Sequence, residues 1–170
     1  TVDTALFDPA LLDREGERAR RGLSNAFVVG HLCTFTEGGA RDLDRVVSTA
    51  ARILAARADA RFLLVGGPSG PIEQKVRALI AGAGIAARSQ VVDMGERADV
   101  PKHLTCMDVA LLHMRPDAGS EMRVSLKLLE YLAMGLAVAG NAEGASRPLF
   151  ERFGVTLDPA RVDAGAIVHD

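Results

Sequence analysis

Lys127 and Glu130 stand three residues apart in the segment Ser125-Leu-Lys-Leu-Leu-Glu-Tyr-Leu-Ala-Met-Gly135. Leu128, Leu129, Leu132 and Ala133 repeat at helical spacing and can face a core. Ser125 suits an N-cap and Gly135 a C-terminal stop. Lys127 and Glu130 then share one face near the positive end of a helix. A lysine is disfavoured there by the helix dipole, and lysine before glutamate is the weaker order for a helical ion pair. An anion docked at that terminus reverses the penalty, with the backbone N–H groups of Val124, Ser125 and Leu126 beside the ammonium. A carboxylate one turn further on is a strong acceptor for a diol. The plainer alternative is an exposed Lys127–Glu130 pair on a solvated helix.

Other chemical signals are weaker. Gly38-Gly39 and the run Gly66-Gly67-Pro68-Ser69-Gly70 follow apolar stretches, where backbone can approach a phosphate or sugar closely. Neither forms G-x-G-x-x-G or a phosphate-binding P-loop. The four histidines are scattered and Cys33 and Cys106 lack metal-ligand spacing, so no metal site is expected. His113 falls at a strand end, where polar recognition of a ligand and plain local hydrogen bonding are both open. His31 reads as a core or sheet-face residue. No Ser-His-Asp arrangement can be assigned.

The elements that must position these groups alternate. Candidate strands are residues 26–33, 61–65, 90–94, 109–113, 136–140 and 155–157. Helical patterns lie between them at 42–57, 72–83, 100–107, 125–134 and 145–153. In the first helix Leu43, Val46, Val47, Ala50, Ile53 and Leu54 make one apolar stripe. This alternation predicts an α/β fold, a doubly wound parallel sheet of Rossmann-like type with helices on both faces. With strand order 3-2-1-4-5-6, a crevice opens between the first and fourth strands. Loops 34–41 and 114–125 should line it.

The 170 residues suit one domain, 48% apolar and 25% charged, with a net charge of −2. That balance argues against nucleic acid as a partner. The basic cluster 14–21 is interleaved with Glu15 and Glu17 and reads as a solvated helix face. No run approaches the ~20 apolar residues needed to span a bilayer, and no signal peptide is visible. The expected compartment is cytoplasmic, or membrane-peripheral through a domain outside this chain, with both cysteines reduced.

Lys127-x-x-Glu130-Tyr131-x-Ala133-x-Gly135, followed by an apolar strand, resembles the nucleotide-sugar-binding half of the GT-B glycosyltransferases. The likeness is strongest to the retaining family four, the glycosyl transferases group 1. Three further stretches resemble the same family in order and spacing. Val2-Asp3-Thr4-Ala5-Leu6-Phe7-Asp8-Pro9 is similar to its interdomain linker, Arg61–Pro68 to its second strand and glycine turn, and Asp108–Leu112 to its fourth strand. The resemblance implies a linker and entry segment at 1–25 and a donor domain at 26–170, truncated at both ends. The acceptor domain would precede it.

By the same resemblance, Glu130 accepts hydrogen bonds from the ribose of a UDP-, GDP- or ADP-linked sugar. Lys127, Ser125, Leu126 and Val124 hold its diphosphate, and the loop bearing Thr34, Gly38 and Gly39 closes over it. No permanently bound cofactor is implied. Transfer of a hexose to an acceptor hydroxyl would retain the anomeric configuration, and the isolated domain would be inactive. Two departures stand out. The first carboxylate of the family's E-x7-E pair falls on Met122, with Glu121 or Asp117 as substitutes. The family's G-R and K-G pairs after the first strand fall on Cys33-Thr34 and Gly39-Ala40, leaving Arg41, Arg115 or Arg123 to supply positive charge. Catalytic groups are therefore unassigned, with Arg41 and Glu121 as candidates. The alternatives are a degenerate, non-catalytic nucleotide-binding or interaction domain and half of a nucleotide-sugar epimerase.

Overall fold

A computed structural model describes residues 1–67, 70–116 and 121–156, with residues 155 and 156 described by backbone alone. Asp117 and residue 157 of the predicted last strand lie outside these. Six parallel strands form one sheet: β1 (Phe27–Thr34), β2 (Ala60–Gly67), β3 (Ser89–Asp93), β4 (Val109–Leu112), β5 (Ala137–Gly140) and β6 (Gly154–Thr156). Their order is β3-β2-β1-β4-β5-β6, as the alternation predicts.

Period-two alternation in the strands divides the core between two faces. Val29, Cys33, Phe62, Leu64 and Leu111 pack under α2 (Leu43–Ala56) and α3 (Pro71–Gly82). Val28, Leu32, Leu63, Val65 and Leu112 pack on the other side. That side is closed by α4 (Val100–Leu104), α5 (Leu126–Ala133) and α6 (Arg147–Phe153). Both faces are covered, which is why the strands read as near-continuous apolar runs. Phe7 and Leu23 are buried in the second cluster, so residues 1–25 pack on the domain rather than leading away from it.

One expectation fails in part here. The cluster 14–21 does form a helix, α1 (Arg14–Arg20), but its basic face is solvated only in part: Arg20 is exposed, whereas Arg18 is not. Arg18 is 8% exposed; its guanidinium donates to both oxygens of Asp108 and to the carbonyls of Cys106 and Ala26. Arg14 donates to Asp108 at 2.5 Å and to the carbonyls of Thr105 and Met107. Asp108 also accepts from the Val28 N–H at 2.7 Å, tying the foot of β1 to that of β4. The two arginines thereby satisfy the carbonyls past the end of α4. That helix stops at Leu104 instead of running to 107.

At the opposite end of the sheet β1 and β4 part. Their ladder holds only at Val29↔Val109 and Gly30↔Ala110, whereas β1 stays paired with β2 through Thr34. Backbone groups that lose their ladder partner must be satisfied in another way. The Tyr131 hydroxyl accepts from the Leu32 N–H at 2.8 Å. His31 Nδ1–H donates to the Leu111 carbonyl at 2.8 Å. Beyond them, His113 bridges the helical layer to β5. Asn141 donates from Nδ2 to the Met114 carbonyl, so its Oδ1 accepts from His113 Nδ1–H at 2.9 Å. His113 Nε2 then accepts from the Thr49 hydroxyl at 2.8 Å. Of the two readings open for His113, local hydrogen bonding is the one observed.

Three outcomes follow from this frame. Asp108→Ala leaves Arg18 buried without its counter-ion and should lower stability by about 2–3 kcal/mol in urea titrations. Tyr131→Phe removes the acceptor for Leu32 N–H and should cost about 1–3 kcal/mol, with the helical circular dichroism unchanged. Burial holds the imidazoles of His31 and His113 below their ordinary value. The unfolded chain therefore binds more protons as pH falls through about 6.5, so stability is flat near pH 7.5 and declines below pH 6.5. Urea midpoints measured from pH 8 to 5 check the sign; a decline on the alkaline side would show that these histidines are not buried neutral.

Candidate functional site

The parting of β1 and β4 opens a cleft of about 460 Å³ at the carboxyl end of the sheet. Its floor is Leu32, Cys33 and Thr34 at the end of β1; one wall is Gly38 and Gly39, the other Met94, Arg97 and Val100. Leu126, Lys127 and Glu130 of α5 face it. A wider hollow of about 690 Å³ lies at the other end of the sheet, over Arg14, Arg18 and Asp108. Those three charges are already paired with one another.

Helix α5 is built as its sequence suggests. The Ser125 side chain accepts from the Leu128 N–H, and Gly135 turns the chain out of the helix at φ 65°. Leu128 and Tyr131 fill the core, which turns Lys127 and Glu130 toward the cleft. The two do not pair. Glu130, 1% exposed, accepts at Oε1 from Arg97 Nη1. Its Oε2 accepts from no described residue. Burial pushes the Glu130 carboxyl above its ordinary value, and the hydrogen bond and charge of Arg97 oppose that push. Lys127 makes no ion pair with a described residue, and burial lowers its ammonium below the ordinary range. A cation whose charge is disfavoured by its surroundings gains from an arriving anion.

The other expected site residues separate into two groups. Thr34, Gly38, Gly39 and Leu126 join Lys127 and Glu130 in the cleft. Val124 and Ser125 do not line it, and the Ser125 N–H is already held by the Ser146 hydroxyl at 2.8 Å. The anion subsite predicted from three successive amides is correspondingly smaller. Arg115 lies elsewhere: its guanidinium donates to Asp44 and to the Arg41 carbonyl, pinning the loop to the start of α2. Arg41 points along the neighbouring groove toward Asp42, 3.9 Å away. Glu121 is exposed outside the cleft.

The loop after β1 is closed on itself. Gly39 N–H donates to Thr36 Oγ1 at 3.0 Å and Ala40 N–H to the Thr36 carbonyl at 2.9 Å. A Cβ at Gly39 would sit 2.4 Å from the Thr34 carbonyl oxygen. This loop therefore accepts no side chain at that position without moving, which is a physical reason for glycine where the resemblance calls for lysine. Arg97 is the residue that sequence reasoning passed over. It lies in the turn after β3, and nothing local marks it as the partner of a glutamate 33 residues on.

No curated protein matches the chain. Among solved structures, HepE from Anabaena in complex with UDP and glucose superposes with a TM-score of 0.73 at 20% identity, over 98% of this chain and 44% of that one. The C-terminal domain of the group 1 glycosyl transferase LpcC from Francisella tularensis gives 0.68 at 16% identity, over 98% and 84%. Sucrose-phosphate synthase from Thermosynechococcus elongatus gives 0.68 at 19%, over 98% and 39%. The chain thus spans less than half of the HepE and synthase chains. These likenesses establish a shared Rossmann-like fold. Residues 26–166 match the glycosyl transferases group 1, and the chain belongs to that family.

Proposed function

We propose that this domain binds the donor of a glycosyltransferase, which moves a sugar from a nucleoside-diphosphate sugar to an acceptor hydroxyl with retention of configuration. The observation that carries this reading is the pairing of two cleft-lining groups on α5: a buried carboxylate with one oxygen held by Arg97, and an ammonium one turn before it. A vicinal diol offers two O–H donors to such a carboxylate, and charge-assisted bonds of this kind are about twice as strong as neutral ones. A diphosphate beside Lys127 restores the charge that burial disfavours.

The distance along the helix suits one ligand carrying both groups, a nucleoside diphosphate. The HepE structure holding UDP makes UDP the first nucleotide to try. Groups that activate and orient the acceptor would come from the rest of a longer protein, so this domain alone should bind and not transfer. The degenerate-domain reading has one observation in its favour: at the end of β1 and in the loop after it, Cys33, Thr34, Gly38 and Gly39 face the cleft and none is cationic. Lys127 and Arg97 are the cations lining the cleft among the described residues.

Calorimetric titration with UDP, GDP and ADP tests the reading. One nucleotide should saturate, and Glu130→Ala should weaken it by about ten- to a hundredfold, the worth of a hydrogen bond to a charged group. Absence of binding by all three at millimolar concentration, with the domain folded, would overturn it.

A further inference from the structure

Arg97 stands on a rigid base. Its 3-10 turn, Arg97–Asp99, is closed by reciprocal bonds between the side chains and backbone of Glu96 and Asp99. The Gly95 N–H before it is held by Asp93 at 2.8 Å. From this base the guanidinium reaches two partners. One face lies over the Phe7 ring, 4.6 Å from its centre, and Nη1 donates to Glu130 Oε1. Phe7 is 1% exposed and belongs to the core, so the ring beneath the cation is itself fixed. A flat cation stacked on an aromatic and bonded edge-on to a carboxylate is held in one orientation.

Glu130 depends on such a partner. Burial favours its neutral acid, and the neutral acid is a poor acceptor that carries a proton of its own toward a ligand's hydroxyls. Two charged groups face it: Arg97 from the turn after β3 and Lys127 from its own helix. The neighbouring Tyr131 hydroxyl is turned to the Leu32 N–H and stays un-ionised at any physiological pH. Of these, Arg97 alone hydrogen-bonds to the carboxylate.

We propose that Arg97 is a positioning residue, which keeps Glu130 ionised and fixes Oε1 so that Oε2 faces the cleft as the acceptor for a diol. The diol itself rests on the functional reading above; the hold of Arg97 over Glu130 does not. In this role Arg97 acts through Glu130, and its loss changes the proton affinity of the carboxylate as well as the strength of nucleotide binding.

The test is a carboxyl-carbon NMR titration of the nucleotide-free 170-residue chain carrying labelled glutamate, with Glu130→Gln to identify the resonance. Arg97→Gln should move the Glu130 midpoint upward by about one pH unit or more, and Arg97→Lys, which keeps a charge, should restore most of the shift. UDP titrations follow on the same proteins. Affinity of Arg97→Gln should fall more steeply than that of wild type as pH drops below the raised Glu130 midpoint, with a limiting slope of about tenfold per pH unit. A merely structural arginine would weaken binding equally at every pH. An unmoved Glu130 midpoint in folded Arg97→Gln overturns the proposal whether or not UDP binds. A raised midpoint supports it; if wild type then binds none of UDP, GDP or ADP, the nucleotide reading falls instead.

Discussion

Parallel strands that separate within a buried sheet expose amides and carbonyls to an interior without water, and every such group demands a partner. Here β1 and β4 separate after two ladder pairs. Tyr131 and His31 supply the partners, one from a helix and one from a strand. The cleft exists because those two bonds allow it to. At the other end of the same strands, Asp108 and two arginines keep β1 and β4 together. The sheet is clamped at its foot and parted at its head, where Tyr131 and His31 satisfy the Leu32 amide and the Leu111 carbonyl.

This arrangement gives the residues of one short motif two different tasks. Tyr131 and Leu128 point inward and hold α5 against the parted strands, whereas Lys127 and Glu130 point outward into the gap. Registry of the helix therefore sets both stability and binding geometry. A rotation that exposed Tyr131 would bury Lys127 in the core. The helix is only eight residues long, so it has little of its own to resist such a rotation. Its caps at Ser125 and Gly135, and the bond from Ser125 to Ser146, hold it instead.

What was legible in the chain was what local pattern encodes. Six strands in order, five of the helices and the direction of α5 follow from apolar period and end signals. Partners far apart in the chain were not legible. Arg18 looks like one basic residue among several until Asp108, ninety residues later, is brought beneath it. Glu130 looks like the mate of Lys127 until the turn after β3 places Arg97 against it. Arg115, a plausible cation for the cleft, is taken by Asp44 and the Arg41 carbonyl. Ser146 removes one amide from the helix terminus. In each case the side chain's type was visible and its competitor was not, because a hydrogen-bond donor goes to whichever acceptor the fold delivers.

Cys33 lies in the floor of the cleft, where an exposed thiolate would be a target for oxidants and electrophiles. Burial pushes its thiol up to about 11, so at neutral pH the sulfur is protonated, weakly polar and slow to react. With the other cysteine, Cys106, also buried and pushed upward by burial, both sulfurs act as small packing groups rather than as nucleophiles beside the ligand.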